Sequence, residues 1–295
     1  MKKFSVIGAN SSIARNFSYY LKGKDVELKL YDIQPESIDG EQGYTCINLL
    51  DEGDIDKIDY DCDAIFIYSG LTGGERSINM HSAFIDVNEK SLLNILKAHR
   101  EKNSRARIIY PSSRLVYKNS NEPLTEESPK EGLSVYAVNK IAAEGYIRMY
   151  NSLYGTEYTI FRIAIPFGNL NPASTDYGIV SKFRHQAQDN GAVTVFGDGC
   201  GRRTFTHIKD ICRLIYEGAI SHKTLNETYN IGGCTYSLLE LANLQAERFG
   251  ARVTTVEWPE LVEKIDVPNG DLDSTKLDSI FGKDYIDIVK YIKEV

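Results

Sequence analysis

The stretch FSVIGANSSIA, residues 4–14, decides the fold of this 295-residue chain. Phe4–Ile7 is a short apolar run typical of a buried strand, and Ser11–Lys22 has the apolar spacing of a helix. The turn between them follows the strand directly and opens the helix. This arrangement is the setting of a dinucleotide-binding turn, so the sequence predicts a phosphate site at the start of the first helix.

The turn departs from the usual glycine pattern. Gly8 is present, whereas Ser11 and Ala14 stand where such turns usually have their second and third glycines. Backbone amides at the start of the helix would face the phosphates, helped by the positive end of the helix dipole. Taken alone, the pattern fits an ordinary strand-to-helix turn equally well. The residues expected to hold a dinucleotide here are Gly8, Asn10, Ser11, Ser12 and Ile13.

After this first strand and helix, short apolar runs alternate with stretches whose apolar residues have helical spacing. The runs are Leu28–Tyr31, Ala64–Tyr68, Arg107–Pro111 and Tyr158–Ile163, and the longer helical stretches are Ile78–Arg100 and Ser134–Tyr154. The alternation predicts an α/β fold with a Rossmann-type doubly wound parallel sheet. After residue 165 the chain is rich in turns, which predicts a smaller C-terminal α/β domain. We expect the first domain at 1–165, rejoined by about 203–230, and the second mainly at 166–202 and 231–295.

Composition excludes several classes of protein. The chain is 42% hydrophobic with a net charge of −7, which argues against disorder, and it has no basic stripe for nucleic acid. No apolar run approaches the roughly 20 residues of a membrane helix, and no signal peptide precedes the first strand, so we expect a cytoplasmic protein without membrane partners. The five cysteines lack metal-ligand spacing, so we expect reduced thiols and no metal.

Asp32 bears on the choice of cofactor. It ends the second predicted strand, 24 residues after Gly8, where an acidic side chain can accept hydrogen bonds from the adenosine ribose. Its charge would repel a 2′-phosphate, and Ile33 and Gln34 supply no arginine to receive one. This favours NAD over NADP, although a solvated aspartate at a strand end is also common.

Tyr136 and Lys140 form a candidate centre for proton transfer. They are four residues apart in a helical stretch and therefore lie on one face. A phenol titrates near 10, and a nearby cation can lower that value by about 1 to 3 units. Ser113 follows a predicted strand and could hydrogen-bond the same substrate oxygen. The YxxxK pattern often occurs as a surface pair, but its position after a strand end favours a site.

Together the motifs are similar to those of the extended short-chain dehydrogenases/reductases, in the nucleotide-sugar epimerase and dehydratase group with UDP-glucose 4-epimerase-like members. The resemblance runs from Lys3 to about Leu277. Its markers are the loop at 8–14, Asn48–Asp51, Ile67–Gly70, Asn88, Ser112–Tyr117, Tyr136–Lys140, RIAIPFG at 162–168 and VFGDGCGRRTFTHIKD at 195–210.

The resemblance implies roles for individual residues. Ser113, Tyr136 and Lys140 would be the catalytic triad, with Tyr136 moving a proton at a sugar oxygen while NAD takes hydride from its carbon. Lys140 would also hold the nicotinamide ribose. Further NAD contacts implied are Ile33, Asn48, Leu49, Tyr68, Ser69, Gly70 and Asn88. Substrate contacts implied are Arg203 on the diphosphate, assisted by Arg202, and Val195 and Phe196 beside the nucleotide base; His207 is interpreted as structural.

Three positions depart from the family pattern. Ile165 replaces a substrate-binding asparagine, and Arg114 and Leu115 stand where dehydratases carry acidic residues. The sequence therefore disfavours dehydration and decarboxylation. We expect substrate selectivity to depend on Asn169–Gly191 and Val256–Asp273, which resemble the family least.

Of the reactions that the resemblance implies, epimerisation and ketone reduction remain as candidates. The preference for NAD favours a nucleotide-sugar epimerase, acting at C4 of a UDP-hexose through a transient ketone. The alternatives are an NAD(P)H-dependent 4-keto-sugar reductase and a non-catalytic NAD-binding sensor or scaffold. The resemblance also implies a homodimer formed through the two long helical stretches.

Overall fold

The computed structural model describes residues 1–174, 176, 178–266 and 269–294. The strands are β1 Lys2–Ile7, β2 Val26–Asp32, β3 Tyr44–Cys46, β4 Ala64–Ile67, β5 Arg107–Ser113, β6 Tyr158–Ile163, β7 Ile165–Phe167, β8 Ala192–Phe196, β9 Arg202–His207, β10 Glu227–Ile231, β11 Cys234–Ser237 and β12 Arg252–Val256. The helices are α1 Ser12–Leu21, α2 Glu52–Ile55, α3 Gly74–Asn79, α4 His81–Ile85, α5 Ser91–Glu101, α6 Val135–Tyr154, α7 Ile179–Asn190, α8 Ile208–Ile220, α9 Leu238–Phe249, α10 Glu260–Ile265, α11 Thr275–Phe281 and α12 Ile288–Glu294.

Seven of the described strands form one parallel sheet in the order β10-β6-β5-β4-β1-β2-β3. The order reverses direction at β1, because the chain first adds strands on one side of β1 and then crosses to the other. Ligands of such sheets bind at this reversal, outside the carboxyl ends of the strands. The sheet confirms the predicted doubly wound α/β fold.

Helices cover both faces of the large sheet. On one face, Phe17 of α1 and Ile211 of α8 pack with Phe66 of β4 in a single core. On the other, Leu96 of α5 and Ile147 of α6 pack in a second core. Burial of the sheet on both sides explains why its strands read as continuous apolar runs rather than as alternating ones.

A smaller unit begins near residue 165, where the alternation of strand-like and helical stretches gives way to turn-rich sequence. In the described residues, β7, β9 and β11 form one sheet and β8 pairs with β12 in another. Helices α7, α9 and α12 share a core with these strands. The chain returns to the large sheet through α8 and β10, so the two units are connected more than once.

The helical stretch predicted at Ile78–Arg100 is interrupted. Met80, at φ −119° and ψ 34°, separates α3 from α4, and the π-helical turn Asp86–Lys90 separates α4 from α5. The other long helix is continuous: Ser134 caps α6 by accepting a hydrogen bond from the Ala137 amide, and the helix ends at Gly155 with φ 72°. Across the described residues, we find no helix that combines the length and apolar character needed to span a membrane.

Candidate active site

The carboxyl ends of β1, β2 and β4 border a cavity of about 430 Å³. Most of the residues predicted to bind the cofactor line it. They are Gly8, Asn10, Ser11, Asp32, Ile33, Asn48, Leu49, Tyr68, Ser69 and Gly70. Ser12 and Ile13, in the first turn of α1, do not line this cavity.

The turn after β1 has the close approach that a dinucleotide needs. Gly8 adopts φ 81°, and a Cβ atom there would come within 2.3 Å of the Ser69 amide nitrogen. The hydroxyls of Ser11 and Ser69 are buried and have no hydrogen-bond partner among the described residues. The first amides of α1 likewise lack partners within their helix. A glycine cradle with unpaired donors fits the pyrophosphate of a dinucleotide.

Asp32 lies at the other side of this cavity. Its Oδ2 accepts a hydrogen bond from the Asn10 amide at 2.9 Å, and its Oδ1 accepts one from the Gln34 amide at 3.3 Å. A carboxylate has about four acceptor sites, so capacity for ribose hydroxyls remains. The Asn10 side chain is used differently: it bonds to the Ile38 amide and the Glu36 carbonyl, and so holds the loop after β2.

The structure brings Tyr136 and Lys140 together at the end of β5. The Lys140 Nζ lies 5.9 Å from the Tyr136 ring centroid and donates a hydrogen bond to the Pro111 carbonyl at 2.8 Å. Burial lowers the pKa of Lys140 to about 8, with the carboxylate of Glu144 acting against this shift. Ser113, the last residue of β5, accepts a hydrogen bond from the Leu115 amide at 3.2 Å. Three groups suited to proton transfer at a hydroxyl therefore lie at one sheet edge.

Two residues support this centre from behind. Ser77 of α3 accepts a hydrogen bond from the Tyr136 amide at 3.1 Å and so anchors the start of α6. Asn88, in the π-helical turn, bonds to both the amide and the carbonyl of Leu71, at 2.7 and 3.0 Å. Asn88 thus acts on the loop beside Gly70 and does not line the cavity itself. No motif in the sequence indicates this role of Ser77.

A buried network, here called the Glu144 cluster, adjoins Lys140 on α6. Its members are Ser112, Glu144, Arg162 and Tyr117. Arg162 donates to both Glu144 oxygens at 2.9 and 2.7 Å and to the Tyr117 hydroxyl at 2.8 Å, while Ser112 donates to Glu144 at 2.7 Å. Glu144 follows Lys140 by one helical turn, so this network fixes the face of α6 that carries the lysine.

A second charged group, here called the Asp266 cluster, lies on the side of the smaller unit. It consists of Arg203 on β9, Arg114 in the short turn after Ser113, and Asp266 after α10. Arg203 Nη2 bonds to Asp266 Oδ2, and Arg114 Nη2 lies 4.0 Å from Asp266 Oδ1. Neither Arg114 nor Asp266 was predicted to act here.

The other residues predicted to contact the substrate do not belong to the Asp266 cluster. Because side chains alternate along a strand, Arg202 points to the other face of β9, where it is exposed and paired with Glu240. Val195 is 1% exposed and packs into the core of the smaller unit, and its contact with a nucleotide base stays a prediction. Phe196 is half-buried, and its ring centroid lies 5.3 Å from that of Trp258.

His207 caps α8 by accepting a hydrogen bond from the Lys209 amide at 3.1 Å, which agrees with a structural role. Burial lowers its pKa to about 4. Ile165, at the start of β7, is half-buried and offers no side-chain hydrogen bond. Among the described side chains, no group of histidine, cysteine and acidic residues is arranged to hold a metal.

The sequence of the chain is similar to those of known proteins. The model of a family described as "NAD dependent epimerase/dehydratase family" matches residues 4–232. A putative UDP-glucose 4-epimerase of Methanocaldococcus jannaschii is 30% identical over 213 residues, covering 71% of this chain and 68% of the relative. A dTDP-glucose 4,6-dehydratase of Streptomyces niveus is 26% identical and covers 80% of this chain and 69% of its own.

Among solved structures, the UDP-glucose 4-epimerase of Thermotoga maritima with UDP-glucose is similar, with a TM-score of 0.86 at 20% identity. The match covers 99% of this chain and 96% of that one. At this level of identity the likeness concerns the fold.

Proposed function

This chain belongs to the NAD-dependent epimerase/dehydratase family, and on that premise we propose that it inverts C4 of a UDP-linked hexose through a transient 4-keto sugar. NAD is its cofactor. The observation that supports the proposal is the end of β5, where Lys140 lies beside Tyr136 and bonds to the Pro111 carbonyl, while arginine and leucine occupy the two positions after Ser113. A dehydratase would use acidic side chains at those positions.

The chain's own residues would handle the proton. Tyr136 would take the proton of the C4 hydroxyl as the carbon loses its hydride, and would return it when the ketone is reduced. The Lys140 ammonium beside the ring favours the phenolate that this step needs, and Ser113 would hydrogen-bond the same oxygen. Bound NAD supplies an acceptor that can give the hydride back to the same carbon. Inversion requires the keto sugar to present its other face before that return.

Product analysis tests the reaction directly. Purified protein is incubated with UDP-, dTDP-, GDP- and CDP-sugars and only catalytic NAD, and the products are examined by NMR and mass spectrometry. A change of stereochemistry without a change of mass supports an epimerase and identifies the base and sugar. Conversion of a 4-keto sugar with stoichiometric consumption of NADH or NADPH would replace the proposal with a reductase.

The proposed role of Tyr136 gives a sharper test. Tyr136→Phe removes only the hydroxyl, so kcat should fall by at least about 100-fold while the Kd for NAD stays within about twofold. Tyr146→Phe is the matched control, because its hydroxyl lies on the same helix but bonds to Glu89 at 2.8 Å. Near-normal turnover by Tyr136→Phe would show that another group moves the proton.

We also propose a homodimer. Ile85 of α4 and Val138 and Met149 of α6 are large apolar side chains that are exposed in the described chain. These helices are the ones that the family resemblance assigns to a dimer contact. The cytoplasmic location and the absence of a metal stay predictions.

A further inference from the structure

Three parts of the chain meet at the carboxylate of Asp39. Asp39 lies between β2 and β3 in the stretch 33–43, here called the cofactor loop. Arg15 of α1 donates to both carboxylate oxygens, from Nε at 2.8 Å and from Nη2 at 2.5 Å. Asn171 of the smaller unit donates to the same carboxylate at 3.0 Å. The side chains of Arg15 and Asp39 are 12% and 10% exposed, so the ion pair is largely shielded from water.

The cofactor loop forms one wall of the cavity predicted to hold NAD. Ile33, Gln34 and Ile38 of this loop line the cavity. Ile33 is 67% exposed and Ile38 is 58% exposed, although both are large apolar side chains. Apolar walls suit a planar base, and Asp32, at the position predicted for the adenosine ribose, directly precedes the loop. The placement of the loop therefore determines how well the adenosine end of the cofactor is enclosed.

Helix α1 forms a second wall, because its first amides face the predicted pyrophosphate site. Arg15 lies in the first turn of α1, and neither it nor Asp39 lines the cavity. Their paired hydrogen bonds are strong and directional, and they hold the pKa of Asp39 below its usual value. The pair thus ties the helix to the cofactor loop from outside the cavity.

The same contacts reach the smaller unit through the segment after β7. The amides of Leu170 and Asn171 both donate to Oδ1 of Asn16 on α1, at 2.7 and 2.9 Å. Arg15 also donates to the Ala173 carbonyl at 3.0 Å. Because the Asn171 side chain bonds to the cofactor loop as well, the position of that loop depends on the smaller unit.

We propose that Asp39 is a positioning residue for the cofactor, which holds the cofactor loop against α1 and the smaller unit and thereby slows the release of NAD. The inference rests on the predicted adenosine site at Asp32 and not on the identity of the sugar. Without this tie the loop loses its fixed position, and the adenosine end can leave while the residues at the end of β5 stay in place.

The rate of NADH release tests the proposal. Protein loaded with NADH is mixed with excess NAD, and the change in NADH fluorescence gives the rate constant. Asp39→Asn keeps the size of the side chain but removes its charge, so release should be at least about tenfold faster. Partial unfolding would lower the number of binding sites without changing the rate for folded molecules. The rate therefore separates positioning from stability.

Other variants test each contact. Glu41→Gln is the matched control, because Glu41 lies in the same loop but pairs with Lys22, at 2.7 Å; release should stay within about twofold. Asn171→Asp places a second carboxylate beside Asp39 and should speed release several-fold. Arg15→Met combined with Asp39→Asn should be no faster than the quicker single variant, since both remove one pair.

The outcomes decide between the alternatives. Unchanged release from Asp39→Asn, or equal acceleration by Glu41→Gln, would overturn the inference. Unchanged release from Asn171→Asp would overturn the part assigned to the smaller unit. If Asp39→Asn does not fold, Arg15→Lys keeps the charge but loses the paired geometry, and release should still be several-fold faster. Only binding of NADH is measured, so the result does not depend on which sugar the protein converts.

Discussion

Two buried arginine sites flank the end of β5, and they differ in how closely an arginine approaches its carboxylate. In the Glu144 cluster, Arg162 is 1% exposed and its carboxylate partner receives hydrogen bonds on both oxygens. In the Asp266 cluster, two arginines share one carboxylate. Arg148 also pairs with Glu144, at 2.8 Å, so each carboxylate meets two arginines. What differs is the approach: Arg162 donates to both oxygens of Glu144, whereas Arg114 comes no nearer than 4.0 Å to Asp266. The difference shows that hydrogen bonds to both oxygens of a carboxylate favour the charged form of a buried guanidinium, whereas a more distant carboxylate does not offset the cost of burial.

The pKa directions of the two arginines follow the same division. Burial alone would lower the pKa of Arg162, but its hydrogen bonds and charge pairing with Glu144 hold that pKa above its usual value. For Arg114, burial and the second arginine lower the pKa, and one shared carboxylate does not restore it. The fold therefore stabilises the charge of one arginine and destabilises that of the other.

The largest expected effect is on stability. Arg162→Met leaves the buried Glu144 without its main partner and should lower the free energy of unfolding by about 3–5 kcal/mol. Arg114→Met removes one of two like charges and should change it by less than about 1 kcal/mol, since Asp266 keeps Arg203. Urea titrations of both variants measure the difference. Equal losses would mean that the two sites do not differ as described.

Neighbouring serines sharpen the comparison, because they point to opposite faces of β5. Ser112 donates to Glu144 at 2.7 Å, so Ser112→Ala should cost about 1–3 kcal/mol of stability and affect turnover less. Ser113→Ala should instead lower kcat by about 100-fold with little loss of stability. Parallel melting curves and rates check both variants, and a reversed pattern would contradict the assignment of the two faces.

The smallest effect concerns pH and Lys140, which lies one helical turn before Glu144 on α6. Because its pKa is lowered to about 8, turnover should decline above about pH 8 as the ammonium loses its proton. In the NAD-free protein the unfolded chain binds more protons than the fold between about pH 8 and the usual lysine value of 10.5. Stability should therefore rise with pH over this window, relative to Lys140→Met. A flat difference between the two proteins would contradict the lowered pKa.

Local features of the fold were predictable from the sequence. The strand Tyr158–Ile163 was predicted with its observed bounds, and the helix ending at Tyr154 began one residue from its prediction. The interruption at Met80 and the π-helical turn were not predictable. Apolar spacing indicates which face of a helix is buried, but it does not specify the hydrogen-bond register within the helix.

The site could be predicted where it coincides with ordered motifs. Ser113 ends a strand, and Tyr136 and Lys140 lie in the first two turns of a helix. These positions can be predicted because the ends of strands and the starts of helices depend on nearby residues. Asp266, in contrast, is 63 residues from its partner Arg203 and has no spacing signal that links them. Long-range charge pairs depend on the packing of the whole fold. Even so, Asp266 lies in Val256–Asp273, where selectivity was expected; Val267 and Pro268 of that segment, and Thr175 and Tyr177 of Asn169–Gly191, are outside the described residues.

Trp258 is the chain's single tryptophan, and it packs against Phe196 with Gly197 directly beneath its indole nitrogen. Fluorescence excited where tryptophan alone absorbs therefore reports from one place, the edge of β8. A nucleotide base stacked on Phe196 would change this emission, whereas NAD in the cavity beside β1 and β2 would affect it far less. The molecule thus carries an intrinsic optical reporter beside Phe196, where the substrate's base is predicted to bind, and away from the cavity predicted for the cofactor.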